Sequence, residues 1–218
     1  MTTEVANEVP VKHSRWEDLV DVFFAPSELF ARRANDSWLK PFLLLCVICV
    51  VLYYVFLPVN TLVMQAAMVE NAPPNADLEK IQQGAAFMRY LGGVFVPIAF
   101  AFTIAVTAVG LKLVSSLLDP AAKWGEAFLI ATFSMFVTIP QQVLGAVLVF
   151  SKSRSGSVSM SDVSFGVLRF MGKQDPVMRA LLGRADLFAI WSAVLLAIGL
   201  ITIVHMPRGK AILTAAIT

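Results

Sequence analysis

The stretch that decides the fold is ALLGRADLFAIWSAVLLAIGLITIVHMPRGKA, at residues 180–211. An apolar run fills residues 187–204, and charged residues lie on both sides of it. At 1.5 Å per residue, a helix of about 18 residues is roughly 27 Å long, which is close to the hydrocarbon thickness of a bilayer. Only Ser192 and Thr202 interrupt the run, and each hydroxyl can bond to a carbonyl one turn earlier. The sequence therefore predicts a transmembrane helix here.

The composition of the chain extends this prediction to the whole protein. Of the 218 residues, 58% are hydrophobic and 15% are charged, whereas about 25% of the residues in a soluble domain are charged. This apolar excess predicts an integral, multi-pass membrane protein. The net charge is only +2, and no basic cluster is interleaved with aromatic residues, which argues against a nucleic-acid partner.

Further apolar runs predict that the chain crosses the membrane several times. Pro58 predicts a kink in the first run, and residues 76–89 predict a short helix that leads into the second. The fold class is therefore all-α: a polytopic membrane helical bundle with four full transmembrane helices and the start of a fifth. These helices make up a transmembrane domain over residues 38–218. The predicted spans lie at residues 42–64, 91–111, 127–150 and 187–204, and the fifth helix begins at residue 209.

Residues 1–37 form a separate, more polar tail ahead of the first span. From Trp16 onward, apolar residues recur at the spacing of an amphipathic helix, which is too polar to cross a bilayer. Two interpretations stay open. The helix lies in the membrane interface with Arg32, Arg33 and Lys40 near the headgroups, or it packs on another part of the same protein, and both can hold together. The aromatic candidates for interfacial membrane contact are Trp16, Phe23, Phe24 and Trp38.

A few polar or helix-breaking residues lie inside the apolar runs. Pro140, Gln141 and Gln142 interrupt the third predicted span near its middle, and Asn60 follows Pro58 in the first. An amide without a partner in hydrocarbon is costly, so these side chains need partners. They form a candidate intramembrane polar or hinge site. Hydrogen bonding between helices is the favoured interpretation, and a transport site is the alternative.

No catalytic constellation accompanies these polar residues. The only histidines, His13 and His205, lie in the tail and at a span end, so the HExxH motif is absent. No span core contains Asp or Glu, which argues against an aspartyl protease and against ion-coupled transport. Cys46 and Cys49 have CxxC spacing inside an apolar run, where a thiolate or a metal would lack partners. We therefore expect no enzyme activity, no cofactor and no bound metal.

The basic residues predict the orientation of the chain. With four spans, nine basic residues fall on the side of the N-terminus and eight on the other, so the totals decide little. Arg32, Arg33 and Lys40 precede the first span, however, and no basic residue closely follows it. Because the first helix usually dominates, the N-terminus is predicted to be cytoplasmic. No cleavable signal peptide is expected in the first 37 residues.

Several motifs resemble the Yip family, the Rab/Ypt-interacting proteins and their prokaryotic relatives. They are W-x-D-x-x-x-V-F-F-x-P-S-x-x-F at residues 16–30, W-x-K-P at residues 38–41, W-x-x-A-F at residues 124–128 and D-L-F-x-I-W-S at residues 186–192. The resemblance implies a five-helix membrane domain with a cytoplasmic N-terminus. Eukaryotic members act in vesicle traffic with Rab GTPases, whereas some prokaryotic members look like accessory subunits of ABC-type exporters. The chain lacks the long N-terminal region and the glycine/tyrosine-rich loop of the eukaryotic members, so it resembles the prokaryotic type.

The residues and the resemblance together predict a non-enzymatic adaptor, scaffold or accessory subunit for other membrane proteins. The expected partners are the lipid bilayer and other membrane proteins, among them an ABC-type exporter. The expected location is a prokaryotic inner (cytoplasmic) membrane. The alternative function is a small transporter or channel with its polar site at the broken third helix. The oligomeric state stays open.

Overall fold

The structure is a computed structural model that describes residues 16–70, 72, 77–118, 120–153, 164–170, 177–178, 182 and 185–218. These residues form helices joined by turns and short loops. Within the described part of the chain there is no strand, and a single antiparallel bridge joins Gly166 to Asp186. The predicted all-α class is therefore confirmed.

The helices differ widely in length. Short helices precede the first apolar run, and one later helix reaches 41 residues. Two 3₁₀ turns lie at Met135–Val137 and Val167–Phe170. The α-helices are α1 (Glu17–Phe24), α2 (Pro26–Arg33), α3 (Leu39–Val55), α4 (Leu57–Glu70), α5 (Leu78–Leu118), α6 (Trp124–Ser134), α7 (Thr138–Ser153), α8 (Leu187–Ile203) and α9 (Arg208–Ile217).

The described residues contain fewer full spans than the predicted four. Two helical stretches are long and apolar enough to cross a membrane, Phe87–Leu118 and Trp124–Ser153, and the bent pair of α3 and α4 makes a third if it is counted as one span. The last predicted span is present as α8, an apolar helix of 17 residues. At 1.5 Å per residue it is about 25 Å long, which is shorter than the roughly 30 Å hydrocarbon core of a bilayer.

The first apolar run, residues 42–64, is two helices rather than one. α3 and α4 meet at Phe56 with a bend of 85°. The predicted kink is confirmed, and it falls two residues before Pro58. Proline cannot donate a backbone hydrogen bond, and its ring clashes with the carbonyl four residues earlier. Asn60 donates from Nδ2 to the carbonyl oxygen of Tyr53 at 3.0 Å, so its amide satisfies a carbonyl at the break.

The second apolar run is part of a much longer helix than the spacing predicts. α5 joins the short helix predicted at residues 76–89 and the span predicted at residues 91–111 into one element. It continues through Pro97 without interruption.

The end of α3 packs against α5 through two tyrosines. The rings of Tyr53 and Tyr54 enter the space beside Gly92 and Gly93, where a Cβ on Gly92 would lie 2.0 Å from the Tyr53 hydroxyl oxygen. The Tyr53 hydroxyl also donates to the carbonyl oxygen of Arg89 at 2.9 Å. The two glycines therefore make room for a close helix contact, which a larger residue would prevent.

The third predicted span, residues 127–150, is present with a break inside it. α6 ends at Ser134, the 3₁₀ turn Met135–Val137 follows, and α7 begins at Thr138. Pro140 is the third residue of α7, where it cannot donate to the carbonyl of Phe136. The carbonyl that the proline leaves without this hydrogen bond lies within the 3₁₀ turn, where the helix is more tightly wound than an α-helix.

The chain reverses between α8 and α9 at a residue in the left-handed region. His205 has φ 56°, and among the described residues it is the only non-glycine residue with a positive φ. The N–H of Met206 donates to the carbonyl oxygen of Leu200 at 3.2 Å. α9 then packs against α8 and α5, and its Lys210 Nζ donates to the carbonyl oxygen of Leu118 at 2.5 Å.

Contacts between distant residues show which helix ends lie together. The ring of Trp38, just before α3, stacks on Phe128 of α6 at 4.9 Å. Lys112 Nζ, near the end of α5, donates to the carbonyl oxygen of Ala122 at 2.9 Å. Together with the hydrogen bond from Lys210 to α5, these contacts place five helix termini at one end of the bundle. They are the first residues of α3, α6 and α9 and the last residues of α5 and α8.

The N-terminal helices belong to the same core as the apolar helices. Leu29 and Phe30 of α2 are fully buried. The ring of Phe30 meets that of Phe133 edge-on at 5.9 Å, and α2 packs along α8. The helix of the tail therefore packs on its own protein, which was one of the two open interpretations.

Candidate functional site

A groove of about 1100 Å³ lies between α5, α8, α9 and the junction of α6 with α7. Its lining is mostly apolar, with hydroxyl and amide groups at intervals. The residues that line it are Ala99, Phe100, Thr103, Thr107, Ser134, Met135, Val137, Thr138, Gln141, Ser164, Leu168, Asp186, Phe188, Ala189, Ile190, Ser192, Ala193, Val194, Leu196, Ala197, Ile212, Ala215, Ala216 and Thr218.

The walls of the groove carry rows of small residues four positions apart. Residues four apart lie on the same face of a helix. The small residues on α5 are Ala99, Thr103 and Thr107, and those on α8 are Ala189, Ala193 and Ala197. Larger apolar side chains, among them Phe100 and Phe188, line the groove beside these rows. Small residues allow the backbone of another helix to approach closely.

The floor of the groove is the broken junction between α6 and α7. Ser134 donates to the carbonyl of Ala131 at 2.8 Å, and Thr138 donates to the carbonyl of Met135. Ser192 reaches across from α8 to the carbonyl of Ser134 at 3.4 Å. These hydroxyls are therefore satisfied by nearby carbonyls.

Gln141 differs from the hydroxyl groups of the groove. It lines the groove and is half-buried, and its carboxamide makes no hydrogen bond to any residue that the structure describes. In an apolar environment an amide without a hydrogen-bond partner is costly. Binding of a water molecule or of a polar group in the groove beside Gln141 would therefore be favourable. Gln142 lies outside the lining of the groove, and so do Pro140 and Asn60. Of the predicted polar or hinge residues, the structure thus places only Gln141 in the groove.

α9 already fills one end of the same cleft between α5 and α8. Its buried residues Ala211, Thr214 and Ala215 pack there, and its final residues line the groove. The approach to α5 is close, because a Cβ on Gly110 would lie 2.8 Å from Cγ2 of Thr218. The groove is therefore continuous with a cleft that holds a helix.

A second polar site, the N-terminal clasp, joins α1 to α2. It consists of Asp18, Asp21, Arg32, Arg33 and Asp36. Arg32 Nη2 donates to Asp18 Oδ1 at 2.9 Å and to Asp21 Oδ2 at 2.5 Å, while Arg33 Nε donates to Asp18 Oδ2 at 3.1 Å. Only 7% of the Asp18 side chain is exposed. Arg33 also bonds to Asp36 at 3.0 Å.

The clasp changes the electrostatics of Arg32. Burial acts to lower the pKa of Arg32, but hydrogen bonds to Asp21 and Asp18 outweigh it, so the net shift of the pKa is upward. The Arg32 guanidinium therefore stays charged and bonded to these two carboxylates. Arg32 and Arg33, which the sequence predicts near the lipid headgroups, are thus both bonded to Asp18, and their position relative to the headgroups stays a prediction.

The four aromatic residues predicted to contact the membrane interface fall into two pairs. Trp16, directly before α1, and Phe24, its last residue, are exposed, with 67% and 85% of their surface accessible. Phe23 is half-buried and packs on the core, and Trp38 packs between Phe42 and Phe128.

With this geometry established, the chain was compared with known protein families. A family model described as the Yip1 domain matches residues 20–218. The chain belongs to the Yip1 domain family. Comparison with curated proteins and with solved structures finds no further match. The family match covers both the groove and most of the N-terminal clasp, and it makes the chain an integral membrane protein.

Asp186 anchors a loop at the edge of the groove in this Yip1 domain. As the N-cap of α8 it accepts from the backbone N–H of Phe188 at 2.9 Å, and it also accepts from the N–H of Phe165 at 2.7 Å. Gly166 bridges to it, and a Cβ there would lie 2.3 Å from the carbonyl oxygen of Ala185. An Asp directly before an apolar run is a recognisable N-cap signal, whereas its bonds to the loop come from the tertiary structure.

Most of the residues that line the groove could not be predicted from the sequence. Thr103, Thr107 and Ser134 have no pattern that marks them as lining residues, because each hydroxyl sits in an otherwise ordinary apolar helix. No group of three or more metal-ligating side chains occurs among the described residues. The partner suggested by the resemblance, an ABC-type exporter, has no support in the fold or in the comparisons.

Proposed function

We propose that this Yip1-domain protein is a non-enzymatic membrane adaptor that holds a transmembrane helix of another membrane protein in its groove. The observation that carries the proposal is the open groove itself, which lies between α5 and α8. Small residues four positions apart run along both of its sides, and the half-buried carboxamide of Gln141 belongs to its lining.

The chemistry of the groove fits a helix better than a small solute. A row of small residues runs along each of the two helices that flank the groove, and such rows favour close helix packing in membranes. An α-helix is about 10 Å across and rises 1.5 Å per residue, so a volume of this size corresponds to roughly two to three helical turns. The free carboxamide of Gln141 can bond to one polar side chain of the incoming helix.

The remaining parts of the proposal follow the sequence. The N-terminus is proposed to face the cytoplasm of a prokaryotic cell, with α3 to α8 arranged as four membrane crossings. α8 is proposed to cross with bilayer thinning at its ends, since short apolar stretches are accommodated in that way. A transporter or channel is the less supported alternative, because only one of the two glutamines lines the groove.

Site-specific photo-crosslinking in native membranes tests the adaptor role. Benzoylphenylalanine replaces Phe100, which lines the groove, or Phe102, which is 71% exposed on another face of α5. Both changes replace one phenylalanine-like side chain by another, so the pair is matched. We expect position 100 to form an adduct with a transmembrane segment of a different protein, identified by mass spectrometry, and position 102 to form none.

Three outcomes at position 100 would overturn the proposal: adducts with lipid alone, with a second copy of this chain, or with the same polypeptide. A blocking variant provides a second test. Ala193→Trp fills the groove, and it should abolish the adduct while the protein still elutes as a folded species. Val106→Trp, on an exposed position of α5, is its control. A change of solute flux in Gln141→Leu, with the adduct unaffected, would favour the transporter instead.

A further inference from the structure

We propose that the exposed apolar face of α1 inserts into the membrane interface, and that this insertion does not depend on anionic lipid. The face consists of Trp16, Val20 and Phe24, which follow one another every four residues. The fractions of their surfaces that are exposed are 67%, 55% and 85%. The occupant of this face is the lipid surface of the bilayer that holds the bundle.

The position of α1 in the fold places this face near the membrane boundary. Trp38 stacks on Phe128 at the start of α3 and α6, and Trp124 beside it is half-exposed. Tryptophan side chains concentrate at membrane–water boundaries. The N-terminal clasp joins α1 to this same end of the bundle, because Arg33 and Asp36 line a small pocket together with Pro41 of α3.

The face cannot turn inward. Val22 and Asp18 occupy the opposite side of α1 and are buried, and Asp18 is bonded to both arginines of α2. α2 is fixed in turn by the fully buried side chains of Leu29 and Phe30. The apolar face of α1 is thus held outward by the core of the protein, in one orientation.

The charges of the same segment argue against attraction to anionic headgroups. Its two arginines are bonded to Asp18, Asp21 and Asp36. Residues 16–40 contain five acidic and three basic residues, which gives a net charge of −2. Interfacial helices that depend on anionic lipid present free Lys and Arg on their polar face. Here the insertion rests on apolar side chains.

Spin-label accessibility in reconstituted vesicles tests this inference. In a Cys46→Ala/Cys49→Ala background, a nitroxide is attached to Val20→Cys or Phe24→Cys on the face. The control is Glu28→Cys, at an exposed position of α2. The vesicles consist of phosphatidylcholine, or of equal parts of phosphatidylcholine and phosphatidylglycerol. We expect the labels on the face to collide with O₂ and to be protected from a water-soluble nickel chelate in both vesicles, and the control to show the reverse.

The inference is overturned if positions 20 and 24 are accessible to the nickel chelate in both vesicles. It is also overturned if they become protected only when phosphatidylglycerol is present. Circular dichroism of each labelled variant establishes that the helices are intact. Asp18→Asn adds a second measurement: it frees part of the charge of Arg32 and Arg33, and protection should then increase when phosphatidylglycerol is added.

Discussion

Two stretches of α5, about two turns apart, both carry small residues, but a neighbouring side chain fills the space beside only one of them. At Gly92 and Gly93 the rings of Tyr53 and Tyr54 fill the available space, down to a Cβ distance of 2.0 Å at Gly92. At Ala99, Thr103 and Thr107 the space stays open as part of a groove of about 1100 Å³. Small residues in a membrane helix can therefore lie either against a packed side chain or beside an open groove. Which of the two occurs depends on the side chains of the neighbouring helix.

The largest effect is expected at the closed contact. Gly92→Leu places a side chain where the Tyr53 ring lies, so α3 and α5 have to separate. Overpacking of this kind typically costs about 1–3 kcal/mol, and the loss of the hydrogen bond from Tyr53 to Arg89 adds to it. Thermal unfolding in mild detergent, followed by circular dichroism, should show a marked fall in Tm.

Gly84→Leu is the matched control for this prediction. Gly84 lies on the same helix, and nothing comes within 4 Å of a Cβ built on it. Its Tm should stay the same or rise, because leucine is a better helix former than glycine by up to about 1 kcal/mol. An equal fall in Tm for both variants would show that Gly92 is not a packing position.

α8 allows the same comparison within a single helix, with a smaller effect. Gly199 faces Ile130 of α6, and a Cβ there would lie 2.7 Å from Cγ2 of Ile130. Gly199→Ala should destabilise the protein by roughly 1 kcal/mol, because the isoleucine has to shift in a packed core. The Tm of Gly199→Ala, measured beside that of Ala193→Ser in the open groove, checks this.

A third prediction concerns the open groove itself. Ala193→Leu adds apolar volume to a groove that the described residues leave open, so the Tm should change by less than the equivalent of about 0.5 kcal/mol. The crosslink from position 100 should nevertheless fall, since the added side chain blocks an incoming helix. A large loss of stability in Ala193→Leu would show that the groove closes in the folded protein.

The smallest effect is expected at Gln141. Gln141→Leu removes a half-buried amide that has no partner among the described residues, and replacing such a group by an apolar one is close to neutral or slightly stabilising. Gln142→Leu, outside the groove, serves as the comparison. If Gln141→Leu lowered the Tm by more than Gln142→Leu, the amide would have a structural partner, and a role in the groove would lose its support.

Much of the helical content could be predicted from the hydrophobic periodicity of the sequence. The exact positions at which helices are interrupted or continue could not. Pro58 signals a kink, and the structure turns it into a bend of 85° at Phe56. Residues 76–89 are more polar than residues 91–111, so the sequence predicts a short helix followed by a span, yet α5 is continuous through both. Hydrophobic runs show where helices lie in the sequence. They do not show how long each helix is, because the backbone hydrogen bonds of a helix can continue through polar residues.

The candidate sites were less predictable than the helices. Gln141 stood out because an amide is rare in an apolar run, and it does line the groove. Asn60 stood out for the same reason, but it bonds to the carbonyl of Tyr53 at a helix break. Asp18 and the two arginines lie 14 and 15 positions apart in the chain, so no local pattern pairs them.

The sequence by itself determined that this is a helical membrane protein of the Yip1 family, because apolar run length and the order of its motifs are local properties. Only the tertiary structure decided that Arg32 and Arg33 both bond to Asp18, that a tyrosine ring fills the space beside Gly92, and that Ala193 lines an open groove. Those outcomes depend on which helix packs beside each position. That choice is made by contacts between residues far apart in the chain, such as Phe30 with Phe133 and Tyr53 with Gly92.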